Sequence, residues 1–182
     1  PDDPTAEPTI QAFCVPIVYL DRDTLSLVEN TYGLTVTTVV VKPRSRGEVR
    51  LRSADPADKP LVSPNLLLHP DDMAAMIAGQ RFFVRAFQTG PLASRIKRLA
   101  IPDPARLDDV ALADHCRRFV KTNYHPASTA RMGADGDPMA VLDARMRVRG
   151  IEGLRVADMS AVPDINAGNT NAPAMMLGDR CA

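Results

Sequence analysis

Residues 34–41, L-T-V-T-T-V-V-V, carry the clearest strand signal in the chain. β-Branched side chains are stiff at χ1 and crowd a helix, and a run of this length matches one strand. Residues 9–20, T-I-Q-A-F-C-V-P-I-V-Y-L, are similarly rich in β-branched and aromatic residues, so a second strand is expected there. Pro16 cannot donate to a ladder and marks an edge, a bulge or a break in it. D-R-D-T at 21–24 and N-T-Y-G at 30–33 have turn chemistry. After K-P-R-S-R-G, residues 48–53 (E-V-R-L-R-S) alternate polar and apolar, as a half-exposed strand antiparallel to its predecessor would. Arg44, Arg46, Arg50 and Arg52 could be taken for a phosphate-binding patch, but in a neutral chain they read better as a solvated sheet face. Residues 54–64 are broken by prolines and aspartates and read as an ordered, irregular loop.

The pattern then changes period. Pro70, Asp71 and Asp72 are suited to a helix start, and Met73, Met76, Ile77, Gln80, Phe83, Val84 and Phe87 recur at helical spacing on one face. Thr89, Gly90 and Pro91 close this helix. A weaker helix is expected over 94–99 and a third from Asp108 through Val120.

A length of 182 residues allows one well-buried core in one compact unit. Lys plus Arg and Asp plus Glu balance at 22 each, so no global field recruits nucleic acid or an anionic membrane, and no apolar run is long enough to span a bilayer. Three widely spaced cysteines do not form a secreted disulfide framework, which points to a reducing, cytoplasmic setting. Neighbouring His115 and Cys116 point in different directions on a helix, and no ligand spacing elsewhere suggests a metal. No dinucleotide-binding glycine turn and no P-loop is present.

The residues able to do chemistry lie in the last third. His125 precedes Pro126, which biases it towards extended or loop backbone, and an imidazole titrating near neutrality suits a general base. Taken alone, a loop histidine is more often structural or simply exposed, by about two to one. Residues 154–157 (L-R-V-A) read as a short buried strand with Asp158 at its end, where two roles are open: accepting from a cofactor hydroxyl, or capping the following turn through Ser160. The polar loop 166–171 (N-A-G-N-T-N) precedes a helix over 172–181 with Pro173 in its first turn. The free N–H groups and positive potential of that helix start favour an electron-rich ligand just ahead of Ala172.

The blocks H-P-A-S-T-A-R-M-G (125–133), G-L-R-V-A-D-M-S-A-V-P (153–163) and G-N-T-N-A-P-A-M-M-L-G-D-R (168–180) resemble the C-terminal signatures of the glucose–methanol–choline (GMC) flavin oxidoreductases. P-R-S-R-G-E-V-R-L-R-S at 43–53 is similar to a strand–turn–strand of that family's substrate domain. Ala127-Ser128 departs from the family, where a hydrophobic residue is commonly followed by glycine. The resemblance implies FAD as cofactor and oxidation of a choline-like or other primary or secondary alcohol by hydride transfer to flavin N5. It implies that His125 is the active-site base and Asn169 the second active-site residue, holding the substrate oxygen. It assigns Asp158, Asn171, Ala172 and Pro173 to FAD binding.

It further implies an α+β fold, with 1–150 supplying part of a substrate domain built on a mostly antiparallel sheet with flanking helices, while 151–182 complete, as strand, loop and helix, an FAD-binding domain whose N-terminal part is the chain's missing partner. Alone, such a fragment is expected to hold FAD poorly and to be inactive. Two alternatives remain: a flavin-containing lyase of hydroxynitrile-lyase type on the same fold, and a non-catalytic fragment with vestigial motifs.

Overall fold

The computed structural model describes residues 7–18 and 32–182. Residues 19–20 of the first expected strand, the turn at 21–24 and the first half of that at 30–33 lie outside the described residues. Two compact units replace the single one expected from length: residues 1–45 with 67–120, and residues 46–66 with 121–182. The physical reason is in the connections. The chain leaves the first unit at Ser45, contributes a hairpin to the second, and returns at Leu67, so two separate sets of apolar residues are buried.

In the first unit, β1 (Ile10–Val15) and β2 (Thr35–Val40) pair antiparallel, with Ile10 opposite Val40 and Val15 opposite Thr35. The strand expected over 9–20 ends before Pro16, whose missing N–H stops the ladder. Helix α1 (Pro70–Gln88) packs across this hairpin. All seven residues expected on its inner face are buried or half-buried. Gly79 faces the hairpin with room for no more than a methyl group: a Cβ there would sit 3.4 Å from Ile10 Cγ2 and 3.5 Å from Thr38 Cγ2, ordinary contact distances. The buried Thr38 is tied to α1 by its hydroxyl, which donates to Met76 Sδ at 3.1 Å and accepts from Gln80 Nε2 at 2.9 Å.

The start of α1 is built around Asp72, a carboxylate only 3% exposed. It accepts from the Arg44 and Ser45 amides at 2.8 and 2.7 Å and from the Ser45 hydroxyl at 2.5 Å. His69 is the N-cap, its Nδ1 accepting from Asp71 N at 3.2 Å. Because these bonds hold 44–45 against the helix, β2 does not turn directly into a hairpin with the next strand. Accordingly β3 (Glu48–Arg50) pairs not with β2, as the sequence suggested, but with β4 (Leu61–Ser63), inside a stretch expected to be irregular. Gly47 permits the approach, since a Cβ there would lie 2.4 Å from the Ser63 carbonyl oxygen.

Thr89 takes extended backbone and its hydroxyl donates to the Arg85 carbonyl at 2.9 Å, ending α1. The weaker helix expected over 94–99 does not form, those residues being turn, bend and irregular chain; the helical turn here is α2 (Gly90–Ala93), because Pro91 is preset for a first helical turn. Helix α3 (Asp109–Phe119) is capped by Asp108, which accepts from Ala111 N at 3.0 Å, and buries Leu112 and Cys116. An Arg81–Asp109 ion pair links it to α1. The arginines of the supposed patch are all spoken for: Arg44 by Asp71, Arg46 by Asp164, Arg50 by Glu48, and Arg52 by the Lys59 carbonyl.

The second unit is mostly turns fastened by backbone hydrogen bonds. The segment after His125 runs beside a 3-10 turn (Met159–Ala161): the amides of Ser128, Ala130 and Met132 donate to the carbonyls of Met159, Ser160 and Ala161 at 3.0, 2.9 and 2.8 Å. Asp143 ties another turn, accepting from the Arg145 and Arg147 amides and the Arg147 guanidinium. Residues 154–157 do not make the expected buried strand. Gly150 and Gly153 at positive φ fold the chain back at once, leaving one antiparallel bridge, Arg147 to Arg155, with Leu154 exposed. Helix α4 (Asn171–Cys181) closes the unit, its Leu177 packing with Met146 and Met159. The fold class stands as α+β, with small antiparallel sheets and flanking helices.

Candidate active site

Three side chains converge in the second unit. His125 Nδ1 lies 2.7 Å from Thr170 Oγ1, and His125 Nε2 lies 3.4 Å from Asn169 Nδ2. Local chain chemistry brings them there. The Tyr124 amide donates to the Thr122 hydroxyl at 3.0 Å and Tyr124 takes φ +63°, turning the chain into Pro126; from Ser128 onward the backbone is pinned to the 3-10 turn. On the other side, the loop before α4 is braced by Asn166, whose Nδ2 donates to the Gly168 carbonyl at 3.0 Å. Packing of Ala127 and Ala174 against the Met146–Met159–Leu177 cluster holds both segments in one place.

The pattern of contacts fixes what the imidazole can do. An amide nitrogen facing Nε2 fits a ring nitrogen with a free lone pair, and the tautomer that offers it carries its proton on Nδ1, opposite the Thr170 hydroxyl. At 3.4 Å the Asn169 contact is at the outer limit of a hydrogen bond, so a substrate oxygen can replace it on both partners. His125 is half-buried and Asn169 exposed, which leaves Nε2 approachable from outside.

Asp158 stands apart from this group among the described hydrogen bonds. Its Oδ1 accepts from Ser160 N at 2.7 Å and Ser160 Oγ at 2.5 Å, capping the 3-10 turn. The Ser160 hydroxyl and amide hold its carboxyl below the usual range against a smaller opposing effect of burial. Of its two open roles the capping one is therefore realised, and Oδ2 remains able to accept from a ligand.

Asn171, Ala172 and Pro173 form the first turn of α4. Asn171 and Ala172 have N–H groups with no partner inside the helix, Pro173 has none to satisfy, and Thr170 gives no side-chain cap. Nearby, Asn166 Oδ1 is buried without a hydrogen-bond partner among the described residues. Unused donors and positive helix potential fit the carbonyl-rich pyrimidine edge of a flavin.

Two residues of the site escaped the sequence reading. Thr170 sat inside the quoted G-N-T-N block with no role given, although a hydroxyl between two polar candidates was a visible signal. Ser128 adopts φ +69°, a conformation that favours glycine, at the position where the resembled family commonly has glycine. The departure in side chain is thus not a departure in backbone. A surface concavity of about 1270 Å³ around the Gly150–Gly153 turn and its arginines includes none of the candidate site residues. No group of three or more potential metal ligands occurs among the described residues, and no described helix is long and apolar enough to cross a membrane.

Known proteins align with this chain in the regions that carry the site. The family model described as GMC oxidoreductase matches residues 43–178. An alcohol dehydrogenase [acceptor] of Pseudomonas putida is 40% identical over 151 residues, covering 83% of this chain and 27% of that protein. A choline oxidase of Arthrobacter globiformis is 42% identical over 152 residues, covering 82% and 28%. A formate oxidase variant from Aspergillus oryzae superimposes with a TM-score of 0.82 at 26% identity, over 98% of this chain and 31% of that one. A pyridoxine 4-oxidase shares the fold, with a TM-score of 0.83 at 23% identity over 97% of this chain and 34% of its own. The chain thus spans less than a third of the length of these curated relatives. With the family model matched over residues 43–178, which take in the first two C-terminal blocks and all but the last two residues of the third, the chain belongs to the GMC oxidoreductase family.

Proposed function

We propose that this chain supplies the acid–base half of an FAD-dependent alcohol oxidoreductase. The observation that carries the reading is the His125 imidazole, anchored at Nδ1 and approachable at Nε2, with the Asn169 amide beside it. The names of the relatives, an alcohol dehydrogenase and a choline oxidase, support a substrate bearing a CH–OH group, primary or secondary. His125 Nε2 takes the hydroxyl proton. Asn169 Nδ2 donates to the same oxygen and steadies the charge that develops as the proton leaves, a role asparagine can fill although it cannot act as base. Bound FAD supplies the acceptor for the hydride lost by the carbon. Asn171, Ala172 and Pro173 hold the flavin edge, and Asp158 accepts from a cofactor hydroxyl.

On this reading residues 1–150 belong to a substrate domain and 151–182 complete an FAD-binding domain in a longer protein. The partner is the remainder of that protein and the setting is cytoplasmic. The test uses the flavin-loaded protein containing this chain. Anaerobic addition of a panel of alcohols should bleach the flavin absorbance, and His125→Gln should slow bleaching about 100-fold or more. Product release from a cyanohydrin without bleaching would favour the lyase alternative. Unchanged bleaching in the variant would remove His125 from the chemistry.

A further inference from the structure

We infer that Thr170 is a positioning residue for His125, setting which ring nitrogen is the base, and that it does so by being withheld from its ordinary duty as a helix cap. The inference rests on the proposed role of His125. Thr170 is the N-cap of α4, a position where a threonine hydroxyl normally accepts from an amide two or three residues on and the backbone is extended. Here the backbone is instead αR, with φ −93° and ψ −4°, and no side-chain cap bond forms. The hydroxyl is instead 2.7 Å from His125 Nδ1, and the residue is 8% exposed. A buried hydroxyl diverted from a helix end to one imidazole nitrogen has two consequences.

The first concerns the histidine. With Thr170 Oγ1 accepting from Nδ1–H, the neutral ring is held in the tautomer that leaves the Nε2 lone pair facing Asn169 and the approach to the site. The same bond is stronger to a cationic ring than to a neutral one. Among the described hydrogen bonds and ion pairs, no charged side chain contacts His125; its partners are Thr170 and Asn169. Thr170 is therefore the one fixed dipole bonded to Nδ1.

The second concerns the helix. Two residues on is Ala172 and three on is Pro173, which has no N–H, so with the hydroxyl committed to His125 it is the Ala172 amide that keeps its donor for a ligand. One side chain thus serves both the proton acceptor and the adjacent helix start.

The experiment compares Thr170→Val, Thr170→Ser and His125→Gln in the flavin-loaded protein, after confirming by absorbance that each retains flavin. Thr170→Val keeps shape and loses the acceptor. It should lower kcat about tenfold with KM nearly unchanged and move the acid limb of the kcat/KM profile to lower pH. Thr170→Ser should restore the rate to within about threefold of the parent and return the acid limb to its original position. A readout independent of turnover is the 15N spectrum of histidine-labelled protein, with His125 assigned by its loss in His125→Gln: the parent should show the Nδ1–H tautomer, and Thr170→Val a mixture. If His125→Gln is crippled while Thr170→Val keeps the parent pH profile and tautomer, the positioning role is overturned and the base assignment stands. If His125→Gln itself is fully active, the reading beneath both fails.

Discussion

Replacing Asp72 with asparagine tests whether a single carboxylate sets the path of the chain between the two units. Asp72 is nearly fully buried and takes three hydrogen bonds, from the Arg44 amide, the Ser45 amide and the Ser45 hydroxyl. With its oxygen at the Oδ2 position asparagine keeps the two Ser45 bonds as neutral ones, and its NH₂ at the Oδ1 position meets the Arg44 N–H in a donor–donor clash. A hydrogen bond to a charged group contributes about 1.5–3 kcal/mol and an unsatisfied buried donor costs about 1–3 kcal/mol. The expected loss is about 2–4 kcal/mol, read as the difference in urea unfolding free energy between parent and variant.

The same site gives a pH dependence. Burial raises the Asp72 carboxyl, but the Ser45 hydroxyl, the two amides and the nearby His69 together outweigh it, and the net shift is downward from the ordinary aspartate value. A carboxyl whose folded pKa is depressed binds fewer protons folded than unfolded. Its contribution is therefore full above the unfolded value of 3.8 and fades as pH falls through the lower folded value. The Asp72→Asn difference should accordingly shrink on acidification below about pH 4 and be flat from pH 5 to 8. A variant within about 0.5 kcal/mol of the parent at pH 7 would refute the reasoning.

Other consequences follow from the same structure. Ser128→Gly should leave the fold intact and stabilise it by about 0.5–1 kcal/mol in thermal unfolding, because φ +69° costs serine more than glycine. A Cβ at Gly79 meets its neighbours at ordinary contact distance. Gly79→Ala should thus be neutral or stabilising by up to about 1 kcal/mol through helix propensity, while Gly79→Leu should cost about 1–3 kcal/mol by overpacking. Leu112, with no exposed surface, should lose about 2–5 kcal/mol on replacement by alanine, measured by denaturant unfolding. Burial lifts the Cys116 thiol to about 11, against a smaller lowering by Arg117, so a thiol reagent at pH 8 should label the exposed Cys14 in the native protein and reach Cys116 only on unfolding.

What could be read from the sequence was whatever depends on local chemistry. The β-branched run at 34–41 became β2 and the periodic face from Met73 to Phe87 became the buried side of α1, because propensity and periodicity act within a few residues. Pairing was less legible. β3 looked like the hairpin partner of β2, and the bonds that divert the chain come from Asp72, 27 residues beyond Ser45. Residues 154–157 had strand composition, yet the two glycines before them leave room for a single bridge. At the site, His125 and Asn169 were reached through the motif blocks, and the structure brings their side chains together. Thr170 was passed over because its role depends on a bond across 45 residues that no local pattern encodes. Ser128 could have been recognised sooner, since a serine at a commonly glycine position invites the question of backbone conformation.

The most direct test of the account is the rate of anaerobic flavin bleaching by a primary alcohol in the protein containing this chain, compared between parent and His125→Gln at pH 7. The account predicts rapid bleaching in the parent and a loss of about 100-fold or more in the variant, with flavin retained in both. Equal rates, or a parent whose flavin no alcohol reduces, would contradict it.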